Sequence, residues 1–64
     1  MDKMNHKVRI NIDKMKVRMG PSKDSPANSE VKRGEEYTIV DKKNGFGQLK
    51  SKSGWIELKW CEDV

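Results

Sequence analysis

The sequence predicts an all-β domain, a small barrel or sandwich of about five or six short strands. Three observations support this prediction. Apolar and polar residues alternate with a period of two in several short segments, as in half-buried strands. Turn residues recur roughly every eight to twelve positions. No segment keeps apolar residues at the helical spacing of i, i+3, i+4 and i+7 for long enough to form a helix.

Length and composition limit what the chain can be. Its 64 residues are 33% hydrophobic and 38% charged, with a mean hydropathy of −1.00. A domain of this size buries only about 60% of the surface that its unfolded chain exposes. The composition therefore excludes a second domain and most enzyme folds. No apolar run approaches the ~18–20 residues of a spanning helix, so we expect no membrane span.

Residues 1–6 show no periodicity and are predicted to be a disordered tail, followed by one domain over residues 7–64. The charges of the tail are not followed by a hydrophobic stretch, so we do not expect it to be a secretory signal. A single cysteine, Cys61, cannot form an intrachain disulfide. We expect synthesis in the cytoplasm without a signal peptide, or excision from a longer exported protein.

The first half of the domain predicts two strands and a long loop. Residues 8–12 alternate between apolar and polar, and residues 15–19 resume the alternation after a break. Residues 20–29 contain one glycine, two prolines and three serines, and no large apolar residue. Because proline fixes φ and lacks a backbone donor, this loop cannot be a central strand or a helix.

The second half predicts short strands joined by tight turns. Residues 30–32 are extended, and residues 37–40 are rich in β-formers. Asn44–Gly45 is the strongest hairpin signal, because both residue types tolerate the positive φ of a tight turn. Strands are then expected around residues 46–49 and 55–58, and residues 60–62 are a candidate for a short last strand.

Four motifs follow one another in the chain. Residues 15–22 read MKVRMGPS, and Val31-x-x-Gly34 precedes the run YTIV at residues 37–40. Residues 44–50 read NGFGQLK, and residues 54–60 read GWIELKW. The ordered set, spanning residues 8–61, resembles the bacterial SH3 (SH3b) domains, whose first signature is Leu-Asn-Val-Arg-x-Gly-Pro-Ser. Three positions differ from the residues usual in the family's motifs. Lys16 replaces the usual asparagine, Phe46 replaces the usual tryptophan, and Trp60 stands where tyrosine is common.

This resemblance implies an SH3-like β-barrel that targets a linked lytic enzyme to peptidoglycan. Such modules belong to phage endolysins and to autolysins of Gram-positive bacteria. The sequences of the last two motifs look most like those of clostridial and related phage enzymes. The family places catalysis in a separate domain, usually an N-acetylmuramoyl-L-alanine amidase or a muramidase. The expected site of action is the cell wall, and the expected partners are peptidoglycan or an associated anionic wall polymer.

The residue types present in the chain argue against catalysis by the chain itself. A cysteine nucleophile needs a nearby base, and the candidates are Cys61 and His6, which falls in the predicted tail. One cysteine and one histidine cannot supply the four ligands of a structural metal site. The glycines are scattered and form no phosphate-binding loop. We therefore expect a binding module with no catalytic residue, metal or cofactor.

The four aromatic residues are the candidate ligand contacts. Phe46 and Trp55 have a structural alternative as core residues, whereas Tyr37 and Trp60 lie near strand ends, where half-exposure is expected. The long loop and the Asn44–Gly45 turn would flank such a surface in an SH3-like barrel. The expected ligand-binding residues are Arg18, Lys23, Tyr37, Asn44, Phe46, Trp55 and Trp60.

Charge leaves a second class of function open. Residues 1–32 carry eight Lys or Arg against four acids, and residues 33–64 carry six against six. This basic first half suits a polyanionic partner or merely a solubilising surface, so the alternative is a small nucleic-acid-binding β-barrel. A third hypothesis, an adaptor for proline-rich peptides, is weakened because the 20–29 loop holds no aromatic residue.

Overall fold

A computed structural model of the chain describes residues 5–64, over which the protein is all-β. Seven strands are β1 (His6–Ile10), β2 (Lys14–Arg18), β3 (Ala27–Lys32), β4 (Glu36–Lys43), β5 (Phe46–Leu49), β6 (Trp55–Glu57) and β7 (Cys61–Asp63). A short 3₁₀ turn, Leu58–Trp60, joins β6 to β7. The predicted all-β class is confirmed, with more strands than the five or six expected.

Two strands begin earlier than the sequence predicts. β1 starts at His6, the last residue of the predicted tail; the part of that prediction at residues 1–4 lies outside the described residues. β3 starts at Ala27, inside the predicted loop over residues 20–29. The first residues of both strands are polar or exposed, and they pair with neighbouring strands through backbone hydrogen bonds. Because they show no apolar alternation, the sequence does not indicate a strand there.

The strands form one antiparallel sheet in the order β3-β2-β6-β5-β4-β1-β7. β3 and β7 are its two edges and do not pair with each other, so the sheet is open where the composition favoured a closed barrel. Both edges are mostly polar, with side chains largely in water, which makes unpaired edges tolerable.

One apolar cluster holds the sheet together. Its eight buried side chains are Val8, Ile10, Met15, Val17, Val31, Ile39, Leu49 and Ile56. They come from six strands, from the β3 edge to β1, so the sheet must curl around a common core. The connection between β3 and β4 completes this curl, because Gly34 N–H donates to the carbonyl of Ile10 at 2.9 Å.

Charged side chains fasten β1 to both of its neighbours. Arg9 lies between Glu36 of β4, at 3.1 Å, and Glu62 of β7, at 3.3 Å. His6 Nε2 is 2.6 Å from the carboxylate of Asp63. The hydrogen bond from Arg9 is the main reason why the pKa of Glu36 lies below its ordinary value of 4.5.

Glu35 binds the last residue of the β3 edge strand. Its carboxylate accepts a hydrogen bond from Lys32 N–H at 2.8 Å, and its own N–H donates to the Lys32 carbonyl at 3.2 Å. Tyr37 O–H also donates to the Glu35 carboxylate at 3.0 Å. The hydrogen bond from Lys32 N–H to the carboxylate, followed by the one from the Tyr37 hydroxyl, lowers the pKa of Glu35.

Gly47 marks a close approach within strand β5. A Cβ at this position would lie 2.7 Å from Leu58 Cδ2 and 2.9 Å from Ile39 Cγ2. Atoms this close overlap, so any side chain at residue 47 would push β5 away from its neighbours.

The Gly47→Ala variant should therefore be less stable. We expect a loss of about 1–3 kcal/mol in the free energy of unfolding, typical of overpacking a tight core. Gly20→Ala is the control, because its added Cβ meets only the rotatable hydroxyl of Ser25 at 2.8 Å. Urea unfolding of both variants measures the difference, and equal stabilities would contradict this account of β5.

Stability should also fall in acid. Because Arg9 lowers the pKa of Glu36 in the folded chain, the unfolded chain takes up protons first as pH falls. The contribution of the Arg9–Glu36 ion pair to the free energy of unfolding is present above pH 4.5. It is lost as the pH falls through the pKa that Glu36 has in the folded chain. Urea midpoints between pH 6 and pH 3 should drop less in Arg9→Gln than in the parent chain. Asp24→Asn, which removes a carboxylate without an ion pair among the described residues, should keep the parent's dependence.

Candidate ligand-binding groove

The side chains that point away from the core form an outer face across β2, β6 and β5. The register places Arg18 opposite Trp55 and Trp55 opposite Gln48, so these three side chains lie in a row. Phe46 is opposite Glu57 on the same face. The alternation that buries Val17 therefore also presents Arg18 outward.

Phe46 is the centre of this outer face. Only 5% of it is exposed, yet it does not belong to the core cluster. Two shallow cavities meet at its ring. One, of about 360 Å³, is lined by Pro21, Ser22, Lys23, Asn44 and Phe46. The other, of about 160 Å³, is lined by Ile12, Lys14, Met15, Lys16, Arg18, Phe46, Glu57 and Trp60. We call the two together the Phe46 groove.

Three hydrogen bonds hold the loop that forms one wall of the Phe46 groove. Asn44 Nδ2 donates to the carbonyl of Pro21 at 3.3 Å, from a backbone with φ of 54°. Arg18 Nη1 donates to the carbonyl of Ser25 at 3.0 Å. Met19 N–H donates to the carbonyl of Pro26 at 2.8 Å. The predicted turn residue Asn44 thus both makes the hairpin and fixes the neighbouring loop.

Trp60 forms the opposite wall. It ends the 3₁₀ turn and keeps 42% of its surface exposed. The ammonium group of Lys59 lies 5.1 Å from the centroid of its ring, a cation–π arrangement. Because the backbone carbonyl of Trp60 accepts a hydrogen bond from Asn11 N–H at 2.9 Å, the ring is presented from an anchored position.

The Phe46 groove is mostly basic. Lys14, Lys16 and Arg18 stand at alternate positions of β2, and none forms an ion pair with a carboxylate of residues 5–64. Glu57 is the acidic residue of the lining, and it lies 3.8 Å from Lys59. The groove can therefore bind a ligand that presents both an apolar or planar group and negative charge.

Five of the seven predicted site residues line the Phe46 groove: Arg18, Lys23, Asn44, Phe46 and Trp60. Trp55 lies half-buried on the same face but lines neither cavity. Tyr37 lies outside the groove and packs against the core. Its hydroxyl donates to Glu35, and the ammonium group of Lys52 lies 5.6 Å from the centroid of its ring. Burial, followed by the Glu35 hydrogen bond, raises the pKa of Tyr37.

Sequence reasoning missed several lining residues. Lys14 is the clearest case, since the alternation of residues 14–18 already predicts that it points outward with Lys16 and Arg18. Ile12 and Glu57 had no comparable indication. Their place in the lining depends on how β1 leads into β2 and on how β6 pairs with β5.

The structure also locates the candidate thiol and base. His6 belongs to β1 and not to a tail, while Cys61 pairs with Ile10, four residues further along the strand. Four residues of strand span about 13 Å, beyond hydrogen-bond reach. Cys61 Sγ instead donates to the carbonyl of Glu57 at 3.5 Å, and burial raises the pKa of this thiol to about 11.

Cys61 should accordingly react slowly with disulfide reagents. At pH 8 a thiol with a pKa near 11 has roughly a hundredfold less thiolate than a free cysteine. The rate of thiol release from Ellman's reagent, compared with that of glutathione, measures the effect. Unfolding the chain in urea should restore the ordinary rate, and a fast reaction in the folded state would contradict the burial of the thiol.

Residues 5–64 bring together no group of three His, Cys, Asp or Glu side chains able to hold a metal ion. No helix in this part of the chain is long and apolar enough to cross a membrane.

Comparison of the chain with models of protein families, with curated proteins and with solved structures finds no significant match. The likeness to bacterial SH3 domains therefore depends on the four sequence motifs alone and stays a prediction.

Proposed function

We propose that the chain is a non-catalytic module that binds the bacterial cell wall and targets a linked lytic enzyme to peptidoglycan. One observation carries the proposal: three of the four motifs, distant in sequence, contribute to the Phe46 groove. Residues 15–22 supply Arg18 and Pro21, residues 44–50 supply Asn44 and Phe46, and residues 54–60 supply Trp60.

The chemistry of the groove suits this ligand. An extended peptide or glycan chain presents flat, weakly polar surface that can pack on the exposed face of Trp60, beside the buried Phe46. The free cations of β2 can pair with the carboxylates of stem peptides or with anionic wall polymers. On this proposal the linked or associated enzyme, an amidase or a muramidase, supplies the catalysis, and the module acts at the cell wall.

A nucleic-acid-binding barrel is the second candidate. The observation in its favour is the row of β2 cations, which form no ion pair within residues 5–64, beside the exposed Trp60 ring, because single-stranded nucleic acid binds through cations and aromatic stacking. Oligonucleotide binding that weakens steeply with salt would support this candidate over the first.

The main test is binding of the purified chain to bacterial walls. Walls from clostridial and bacillar hosts should co-sediment with the chain, both intact and after acid removal of secondary polymers. Binding that survives acid and high salt would identify peptidoglycan as the ligand. Loss after acid treatment would assign binding to the secondary polymers, and loss in high salt would assign it to the cations Lys14, Lys16 and Arg18. Failure to bind any of these walls would refute the proposal.

Replacing Trp60 should weaken wall binding without unfolding the domain. We expect Trp60→Ala to lose about tenfold or more in affinity, as for an aromatic contact residue, with little change in the urea midpoint because the ring is 42% exposed. Trp60→Phe, which keeps an aromatic ring, should retain most of the binding. Equal affinities of the parent chain and Trp60→Ala would remove Trp60 from the site.

A further inference from the structure

A larger cavity lies where β5 turns into β6. Its volume is about 570 Å³, within the usual range of roughly 300–1,000 Å³ for small-molecule sites. Its polar lining consists of Asn5, Gln48, Lys50, Ser51, Lys52 and Ser53, and two apolar residues form the remainder. It shares no lining residue with the Phe46 groove.

Every polar side chain of this lining can donate a hydrogen bond, and none is a carboxylate. The ammonium groups of Lys50 and Lys52 form no ion pair with the carboxylates of residues 5–64. The hydroxyls of Ser51 and Ser53 make no hydrogen bond to another described side chain or backbone group, nor does the Gln48 amide. The cavity thus combines two positive charges with unengaged hydroxyl and amide donors, although the Lys52 ammonium also lies 5.6 Å from the centroid of the Tyr37 ring.

The turn that carries these groups is anchored by backbone contacts. Leu49 N–H donates to the carbonyl of Gly54 at 3.0 Å, which closes the turn. Lys50 N–H donates to the carbonyl of Thr38 at 2.9 Å. Asn28 Nδ2 donates to the carbonyl of Ser53 at 2.9 Å and ties the turn to β3. An anchored turn reduces the ordering cost of binding a ligand.

The neighbouring carboxylates have other partners. Asp41 is opposite Gln48 in the sheet, but it accepts a hydrogen bond from Lys42 N–H at 2.8 Å and does not line the cavity. Glu35 lies beyond Tyr37, bonded to the Tyr37 hydroxyl and to Lys32 N–H. Lys52 acts on Glu35 through space, without an ion pair within 4.0 Å.

We propose that Gln48, Lys50, Ser51, Lys52 and Ser53 form a site for a phosphate group, the β5–β6 phosphate site. Phosphate oxygens are strong acceptors for ammonium and hydroxyl donors, and two lysines match the charge of a phosphate dianion. The volume leaves room for the organic group that carries the phosphate. This site goes beyond the proposed function and does not depend on the Phe46 groove.

The test is an NMR titration of the full chain at pH 7 and constant ionic strength, with chloride as the compensating anion. Inorganic phosphate should cause saturable amide shifts concentrated in residues 48–53. Parallel titrations with glycerol 3-phosphate and with dimethyl phosphate separate a monoester source from a diester source. Acetate, a carboxylate of single charge, should cause no saturable shift. Equal binding of acetate and phosphate would overturn the assignment.

A matched pair of double variants tests the residues. Lys50→Gln with Lys52→Gln should weaken phosphate binding at least tenfold, because each charge-assisted bond is strong. Lys42→Gln with Lys43→Gln removes the same charge from β4, outside the site, and should change affinity by less than about twofold. Ser51→Ala with Ser53→Ala keeps both charges and should weaken binding several-fold.

Each outcome of this comparison is informative. Equal losses in the two lysine pairs, or shifts that grow linearly and spread over all lysines, would show only a general charge effect and refute the site. The replaced side chains are all exposed, and the same spectra report whether each variant is folded. Because no wall material is present, failure here is distinct from failure of the wall-binding proposal.

Discussion

The structure depends on one cluster of eight apolar side chains that six strands contribute and no disulfide supports. A core this small tolerates little loss of packing, so the strands must approach closely and in one register. Gly47 shows the constraint most directly, because its missing side chain lets β5 lie against Ile39 and Leu58. The same strand carries Phe46 at the preceding position, and alternation sends that ring to the opposite face.

The Phe46 groove is thus a consequence of how the core is built. Phe46 cannot join the core from the outer face, and it is buried instead beside the 20–26 loop and the 3₁₀ turn that ends in Trp60. Its walls come from connections, which vary more freely than strands, while its floor is fixed by the sheet. A binding surface of this kind can change specificity without disturbing the cluster that folds the domain.

The sequence predicts the parts of this molecule in which apolar alternation or turn chemistry is strong. Val17 inward with Arg18 outward is one example. The Asn44–Gly45 hairpin is another, since both residues have the positive φ that their types indicate. The start of β3 was not predictable in this way, because residues 27–30 are exposed on an edge strand and show no apolar alternation. Whether β3 would meet β7 depends on the curvature of the whole sheet, which no local pattern contains.

The candidate site likewise contains residues that the local sequence predicts and residues whose positions depend on the whole fold. Arg18, Asn44 and Phe46 belong to motifs, and their neighbours along the chain already suggest a shared surface. Tyr37 has the same chemistry as the other aromatic residues, yet the pairing of β4 with β1 places it against the core and Glu35. The cavity beside residues 50–53 could not be predicted from the sequence, because it depends on contacts between distant residues, such as that of Lys50 with Thr38.

The double contact between Glu35 and Lys32 has a consequence for how copies of the chain meet one another. An exposed edge strand offers outward backbone groups that can template a strand from another molecule, which is a route to aggregation. In the alternation of an antiparallel pair, Lys32 is one of the β3 residues whose backbone faces away from β2. Glu35 occupies both of its groups, so the length of edge open to an intruding strand is shorter than β3 itself.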